Sequence, residues 1–337
     1  MLDAAPDRTT RLERLDPPDG AMTALLDTDA YNEVDDQFAI ADLVCSRHRV
    51  AALTAAPFDN DRSEGPGDGM EQSYDEIERV LATLEADRPV ARGATRFMDG
   101  PSTGTDDRST AGGGPLESGA GGDPADTMAN ETGEGPAAPV ESEASEEIVH
   151  RAHATDGPLY VVAIGAATNV AAALCADPTI ADEIVVVWLG GTPHEWPAAT
   201  EFNLSQDVAA ARALFDSGVP LIHVPTINVA EHVRTTVPEL RHLLTDAGIG
   251  GFLRDRVEAY EGADRRAWSK VIWDLAATAV LTVPDAVETA LAPSPTLTGE
   301  ETWNVDQARH RVRVVRRVDR DAVFDAFCSR LPGEAVR

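Results

Sequence analysis

Ten residues near the amino end, Asp27 to Asp36, carry five carboxylates: Asp27, Asp29, Glu33, Asp35 and Asp36. They follow an apolar run, Met22 to Leu26, and precede an amphipathic stretch, Gln37 to Val44. That order reads as strand, loop, helix. Two-residue spacing places Asp27 and Asp29 on one face of an extended segment. Asp35 and Asp36 fall in the first helical turn, where the macrodipole favours negative charge. Acids this close repel one another unless a cation sits among them. An all-oxygen donor set suits a hard ion such as Ca2+ or Mg2+ better than zinc.

The alternation continues along the chain. Val50–Thr54 is a short β-rich run, and Asp75–Leu84 has helical spacing. Leu159–Ile164 and Ile184–Leu189 are apolar runs of strand length, broken by Gly165 and by Gly190 and Gly191; Val170–Ala176 and Asp207–Ser217 read as helices, and Leu221–Val224 as a strand. Leu240–Tyr260 is mostly helical in pattern, Lys270–Leu281 reads as an apolar helix carrying Asp274, and Thr302–Arg317 alternates as a terminal hairpin would. Repeated β-then-α order predicts an α/β fold: an open, mostly parallel sheet with helices on both faces. Residues 1–20 are charged and proline-containing, and are expected to be a flexible segment without a secretory leader. Residues 21–330 form one expected domain, interrupted at 99–145 by an acidic Gly/Pro-rich insertion too poor in large apolar groups to order itself.

Composition narrows the class. Cys45, Cys175 and Cys328 are an odd number at no ligand-like spacing, which predicts a reduced, cytoplasmic protein. No run approaches the length of a membrane span. The formal charge is −30, and Lys270 is the only lysine among 28 Lys and Arg residues. Acid excess with almost no lysine is the composition expected of a halophilic protein, because concentrated salt screens self-repulsion. The same charge argues against nucleic acid or an anionic membrane as partner.

Three further segments place polar groups where strands end. Gly165-Ala166-Ala167-Thr168-Asn169 follows a strand. Glu201-Phe202-Asn203 follows another, after a loop holding His194, Glu195, Trp196 and Pro197; Glu201 and Asn203, two apart, can point together. Asp274 stands alone between Trp273 and Leu275, and a buried carboxylate needs a partner or a cation. Each has a plain structural reading beside the functional one. Asp27 can brace a turn, Thr168-Asn169 can simply start a helix, and Glu201 can be one more surface acid.

Taken together, the four segments resemble the inosine–uridine preferring nucleoside hydrolase family, with a Rossmann-like core. That family's amino-terminal motif, Asp-x-Asp-Pro-Gly-x-Asp-Asp, corresponds to Asp27, Asp29, Asp35 and Asp36, in a loop two residues longer here. Its Gly-x-x-Thr-Asn, Glu-Phe-Asn and late aspartate correspond to Gly165–Asn169, Glu201–Asn203 and Asp274. The resemblance implies one Ca2+ per subunit, held by Asp29, Asp36, Asp274 and the Thr168 carbonyl. It implies hydrolysis of the N-glycosidic bond of a ribonucleoside or related N-riboside, with Asp35 activating a metal-bound water. Glu201 and Asn203 would bind ribose hydroxyls, and Asp27 and Asn169 would support the site. Asn32 and Glu33, in the extra loop length, together with Trp273 and His194, are candidates for substrate contact. A small nucleoside-like substrate, a role in nucleoside salvage, and a homodimer or homotetramer complete the expectation.

Departures accompany the match. Phe58 and the loop 194–200 lack the family's sugar-binding asparagines. Trp273 stands where well-studied members carry a histidine that protonates the leaving base, so His194 and His232 become the candidate acids. Lys270, four residues before Asp274, reads as a surface lysine at a helix start. Two alternatives remain: a ribose- or nucleoside-binding homologue without turnover or with altered specificity, and an Asp-x-Asp phosphatase, for which a single lysine is poor equipment.

Overall fold

The computed structural model describes residues 8–16, 20–98 and 140–333. In chain order the elements begin with α1 (Arg8–Arg14), β1 (Thr23–Thr28), α2 (Asp36–Val44), β2 (Arg49–Ala55), α3 (Pro66–Thr83) and β3 (Val90–Ala91). Then come α4 (Glu143–Ala154), β4 (Leu159–Ala163), α5 (Thr168–Ala176), β5 (Ile184–Leu189), α6 (Phe202–Gln206), α7 (Val208–Ser217) and β6 (Leu221–Val224). The carboxyl-terminal part holds β7 (Arg234–Thr235), α8 (Val237–Leu243), α9 (Gly248–Glu258), β8 (Lys270–Val271) and α10 (Leu275–Thr282). It closes with β9 (Val287–Pro293), β10 (Thr296–Leu297), β11 (Trp303–Asn304), β12 (Arg311–Val318) and α11 (Arg320–Arg330).

Eight strands form one sheet in the order β3-β2-β1-β4-β5-β6-β12-β9, parallel throughout except for β9 against β12. The strands β1, β4 and β5 are apolar without alternation because both of their faces are covered. Leu26, Val162 and Val187 join a core shared with Phe38, Leu275 and Phe327. Leu25, Val161 and Val186 join a second core with Val170, Leu214 and Phe215. The open α/β sheet with helices on both faces is therefore as expected. From the centre, the chain runs β1 to β2 to β3 toward one edge, then returns to the other side of β1 with β4, β5 and β6. The reversal between β1 and β4 opens a crevice at their carboxyl ends.

Several boundaries differ from the sequence reading. Residues 8–14 of the segment expected to be flexible form α1, Leu15 is fully buried, and the Arg11 Nε donates to the Gly218 carbonyl at 2.6 Å. Two leucines among charges give little periodic signal, yet they suffice to dock one helix. The insertion ends earlier than expected, since Val140 is buried and α4 begins at Glu143 behind a Ser142–Ser145 capping box; the rest of it, 99–139, lies outside the described residues. Lys270–Val271 is strand β8, paired antiparallel with β7, and helix α10 starts only after Asp274. Short apolar runs do not distinguish strand from helix. Thr302–Arg317 is no hairpin: β11 pairs with β10, while β12 inserts between β6 and β9. Alternation identifies a strand but not its partner. Among the described residues, no helix is long and apolar enough to cross a membrane.

Candidate functional site

The crevice is lined by the turns that leave β1, β4 and β5. Strand β1 ends in Asp27 and Thr28, and the loop beyond it carries Asp29 to Asp35 before α2 begins at Asp36. From a distant part of the chain, Asp274 is delivered as the residue preceding α10. Carboxylate oxygens of Asp35, Asp36 and Asp274 lie within 4.8 Å of one another, all three side chains being buried. Asp29 adjoins them: the charges of Asp36 and Asp35 act on it, and its own acts on Asp274. Oxygens Oδ2 of Asp27, Oδ2 of Asp29 and Oδ1 of Asp35 are buried with no hydrogen-bond partner. Buried anionic oxygens without donors are costly, and a divalent cation at their centre removes the cost. The residues present therefore fit a metal ion.

Electrostatics agree with that reading. Burial, aided by the Asp35 charge, pushes Asp36 up to about 8. Burial raises Asp35 to about 6, opposed by the nearby Lys270 ammonium. Asp29 and Asp274 are held well above the usual carboxylate range by burial and by the neighbouring aspartates. Like charges in a dry site resist simultaneous ionisation unless a cation compensates them.

A second layer of side chains fixes the carboxylates. Thr28 donates its hydroxyl to Asp36, and Thr54 donates to Asp27 at 2.6 Å. The Asn169 amide donates to Asp27 at 2.8 Å and to the Ala55 carbonyl at 3.0 Å, while its oxygen accepts the Ala94 N–H. Asp27 thus ties β1, β2 and α5 together. Gly165 turns against Asp29 so closely that a Cβ there would stand 3.0 Å from the Asp29 carboxylate. Thr168 is buried at the start of α5, and its hydroxyl donates to Asp207 at 2.7 Å. Asp207 also accepts the Met98 N–H and caps α7. Sequence reasoning missed Asp207; its signal was a helix-capping position three residues before a buried alanine, indistinguishable from any other cap.

The third wall comes from the loop after β5. Glu201 precedes α6, and its Oε2 accepts the N–H groups of Gly191 at 2.7 Å and Leu204 at 3.3 Å. Gly191 takes a φ of 64°, which suits glycine and points that N–H inward. Burial lifts Glu201 to about 7. The Asn203 amide donates to the carbonyls of Ile164 and Leu189, both at 3.0 Å, locking it across the carboxyl ends of β4 and β5. His194 is stacked on His223 with ring centroids 4.9 Å apart and edge-on to Phe215 and Trp303. Burial and the adjacent His223 hold it neutral, with a pKa pushed down to about 2. His232 is exposed in the short turn 230–232.

The longer acidic loop has its own attachments. Asn32 accepts from the Asn60 amide at 2.7 Å, and the Arg62 guanidinium donates to the Asn32 carbonyl at 3.0 Å. Glu33 pairs with the Lys270 ammonium and accepts the Tyr260 hydroxyl at 3.0 Å. Lys270 is not at a helix start on the surface, as the sequence suggested, but on β8 and 5 % exposed. Trp273 is partly buried against the first core, and its N–H donates to Oδ2 of Asp35 at 3.1 Å.

Comparison with known proteins follows the same lines. Residues 24–325 match the family described as "Inosine-uridine preferring nucleoside hydrolase". Over 108 residues the chain is 36% identical to the pyrimidine-specific ribonucleoside hydrolase RihA of Enterobacter sp. (strain 638), a match covering 29% of this chain and 34% of that protein. The chain thus matches about a third of the length of this curated relative. In three dimensions it resembles the solved structure of a plant nucleoside hydrolase, PpNRh1, with a TM-score of 0.69 and 22% identity over 92% of this chain and 99% of that one. It also resembles a purine-preferring ribonucleoside hydrolase from Gardnerella vaginalis, with a TM-score of 0.66 and 22% identity over 92% and 98% of the two chains.

Proposed function

The chain belongs to the inosine–uridine preferring nucleoside hydrolase family, and from that premise we propose that it hydrolyses the N-glycosidic bond of a ribonucleoside or related N-riboside to free base and ribose. The observation that carries the reading is the convergence of the buried Asp35, Asp36 and Asp274, with Asp29 beside them, where Oδ1 of Asp35 and Oδ2 of Asp29 lack hydrogen-bond donors. Asp29, Asp36 and Asp274, with the Thr168 carbonyl, would hold one divalent ion; oxygen-only donors suit a hard ion, and the family resemblance points to calcium. Once bound, the ion supplies positive charge that orients ribose hydroxyls and acidifies water.

This chain's own groups do the rest. Oδ1 of Asp35 accepts no hydrogen bond, which leaves it able to take a proton as general base. Glu201 is fixed by backbone N–H groups through Oε2, and its Oε1 would accept a ribose hydroxyl. Asn203 spends its amide N–H groups on two carbonyls, so its oxygen remains to accept another. Buried acids around the sugar stabilise the positive charge that develops on ribose as the base departs. Burial keeps His194 neutral, which makes it a poor acid for that base. Ribosides with weakly basic leaving groups should therefore be cleaved faster than inosine or adenosine.

A screen of nucleosides and of a nitrophenyl riboside for released ribose, with calcium and concentrated salt present, tests the proposal. Ribose release that EDTA abolishes supports it. Stoichiometric binding without release would instead favour a non-catalytic binding homologue.

A further inference from the structure

At the end of the sheet opposite the crevice, the local charge changes sign. Strand β12 runs parallel to β6, so its first residue, Arg311, lies at the amino ends of the strands, whereas the crevice lies at their carboxyl ends. There, residues 307–311 and, from α1, Arg11 and Leu12 line a cavity of about 340 Å³. Three arginines and His310 face it, and among the described residues no carboxylate lines it. The chain as a whole carries 58 acids against 28 Lys and Arg residues. A basic cavity is thus an exception in this molecule.

Part of that positive charge has a structural use. The Arg11 Nε donates to the Gly218 carbonyl at 2.6 Å. Arg309 donates from Nη2 to the Phe215 carbonyl and from Nε to the Ser294 carbonyl, each at 2.9 Å, and pairs with Asp216. Both guanidiniums therefore sit at the carboxyl end of α7, where the helix dipole favours cations. That account does not reach Arg311. Alternation along β12 puts Arg311 on the same face as Arg313, while Val312 between them is buried in the second core. Arg313 is neutralised by Asp16 and donates to the Leu15 carbonyl. The partly buried Arg311 guanidinium makes no hydrogen bond or ion pair with any described residue. His310 stands beside it. Burial and the charges of Arg11 and Arg309 push its imidazole down to about 4, against the pull of Asp216, so it is neutral at pH 7 and one ring nitrogen carries a proton to donate.

We propose that this cavity binds the phosphate group of a small phosphorylated metabolite. A guanidinium fork matches two phosphate oxygens at once, and a neutral imidazole adds a donor without adding charge. Arg311 would supply the unspent fork, with Arg11 and Arg309 contributing field. The volume falls in the range of small-molecule sites, about 300 Å³ and above. Leu12, Ala308 and Gln307 offer apolar and amide surface to the rest of such a molecule. The net charge of −30 repels anions at long range, so only close contacts of this kind could hold one.

Calorimetry on the full chain tests the proposal, with calcium, about 0.15 M chloride and excess ribose present. The ribose occupies the crevice, so that only binding elsewhere is read. Ribose 5-phosphate should bind wild type with a Kd of about 1 mM or tighter. Arg311→Gln should weaken that binding at least about tenfold. Arg311→Lys keeps the charge but not the fork and should lose at least about threefold; it carries the test if the glutamine variant fails to fold. Without the ester, ribose release and melting temperature should match wild type in both variants, because the Arg311 side chain has no described partner to lose. Methyl phosphate binding as tightly as ribose 5-phosphate would assign the site to the phosphate group alone, and weaker binding would show that the rest of the cavity is used. No heat with either ester, or equal affinity in wild type and variants, overturns the proposal and leaves the arginines as caps of α7.

Discussion

Asp35 differs from Asp36 in what holds it. Asp36 is tied to the Thr28 hydroxyl at the end of β1, whereas Asp35 takes one backbone N–H and keeps an oxygen without a hydrogen-bond donor, 3.7 Å from the Lys270 ammonium. The reading therefore separates them by role. Asp35→Asn should keep the fold and bind calcium, yet lose hydrolysis by about a thousandfold or more, since an amide cannot take a proton; calorimetry and ribose assay together check it, and retained turnover would refute the base assignment. Asp274→Ala should instead weaken calcium binding as well as turnover. At this scale the sequence was informative wherever motif and spacing coincide, as at Asp29, Asp35 and Asp274. It was silent on Lys270, because composition cannot say whether a lone lysine is buried against Glu33 and Asp35. His194 is the converse case. A histidine in a polar loop looks like an available acid, and only packing against His223, Phe215 and Trp303 makes it a neutral member of an aromatic cluster.

The strand-to-helix turns are the working elements. The turn between β4 and α5 presents Gly165 to Asp29, and α5 presents Asn169 to Asp27, so that one short segment bears on two carboxylates. Asn169→Ala would strip Asp27 of one donor and leave the Ala55 carbonyl and Ala94 N–H without side-chain partners. We expect it to cost about 2–4 kcal/mol of stability, from buried groups losing their hydrogen bonds. Denaturant unfolding measures this, and a change within experimental error would show that Asn169 is no brace. Apolar run length and glycine breaks made β1, β4, β5 and β6 legible. The start of α10 was not legible, because Val271–Trp273 is apolar like the helix after it. Only pairing with β7 and the demands of the buried Asp274 end the extended segment there.

Over the whole molecule, unpaired carboxylates make stability depend on protons and on metal. Asp35 near 6 and Asp36 near 8 lie above the value of about 4 expected of an unfolded aspartate. Folded chains then hold protons that unfolded chains have released. The protonated cluster contributes its stability fully below about pH 4, and that contribution is lost as pH rises through 6 to 8. A divalent ion binds the deprotonated carboxylates, so its stabilising effect grows across the same interval. Melting temperatures with and without calcium should therefore differ more at about pH 8 than at about pH 5; an equal difference would place the ion elsewhere. The net charge of −30 yields another expectation, that melting temperature rises as salt goes from about 0.1 M to about 3 M. Salt-independent melting would remove the halophilic reading.

By itself, the order of residues determined the class of fold and the chemistry of the donors. Strand-length apolar runs in repeated β-then-α order fit a covered parallel sheet, and clustered aspartates call for a cation or for retained protons. Which acids meet, and which side chain stands between them, was decided by the tertiary structure alone. Asp36 and Asp274 are separated by most of the chain, and no local spacing encodes that β1 and the start of α10 end at one crevice. There, a single buried ammonium distinguishes one carboxylate from its neighbours.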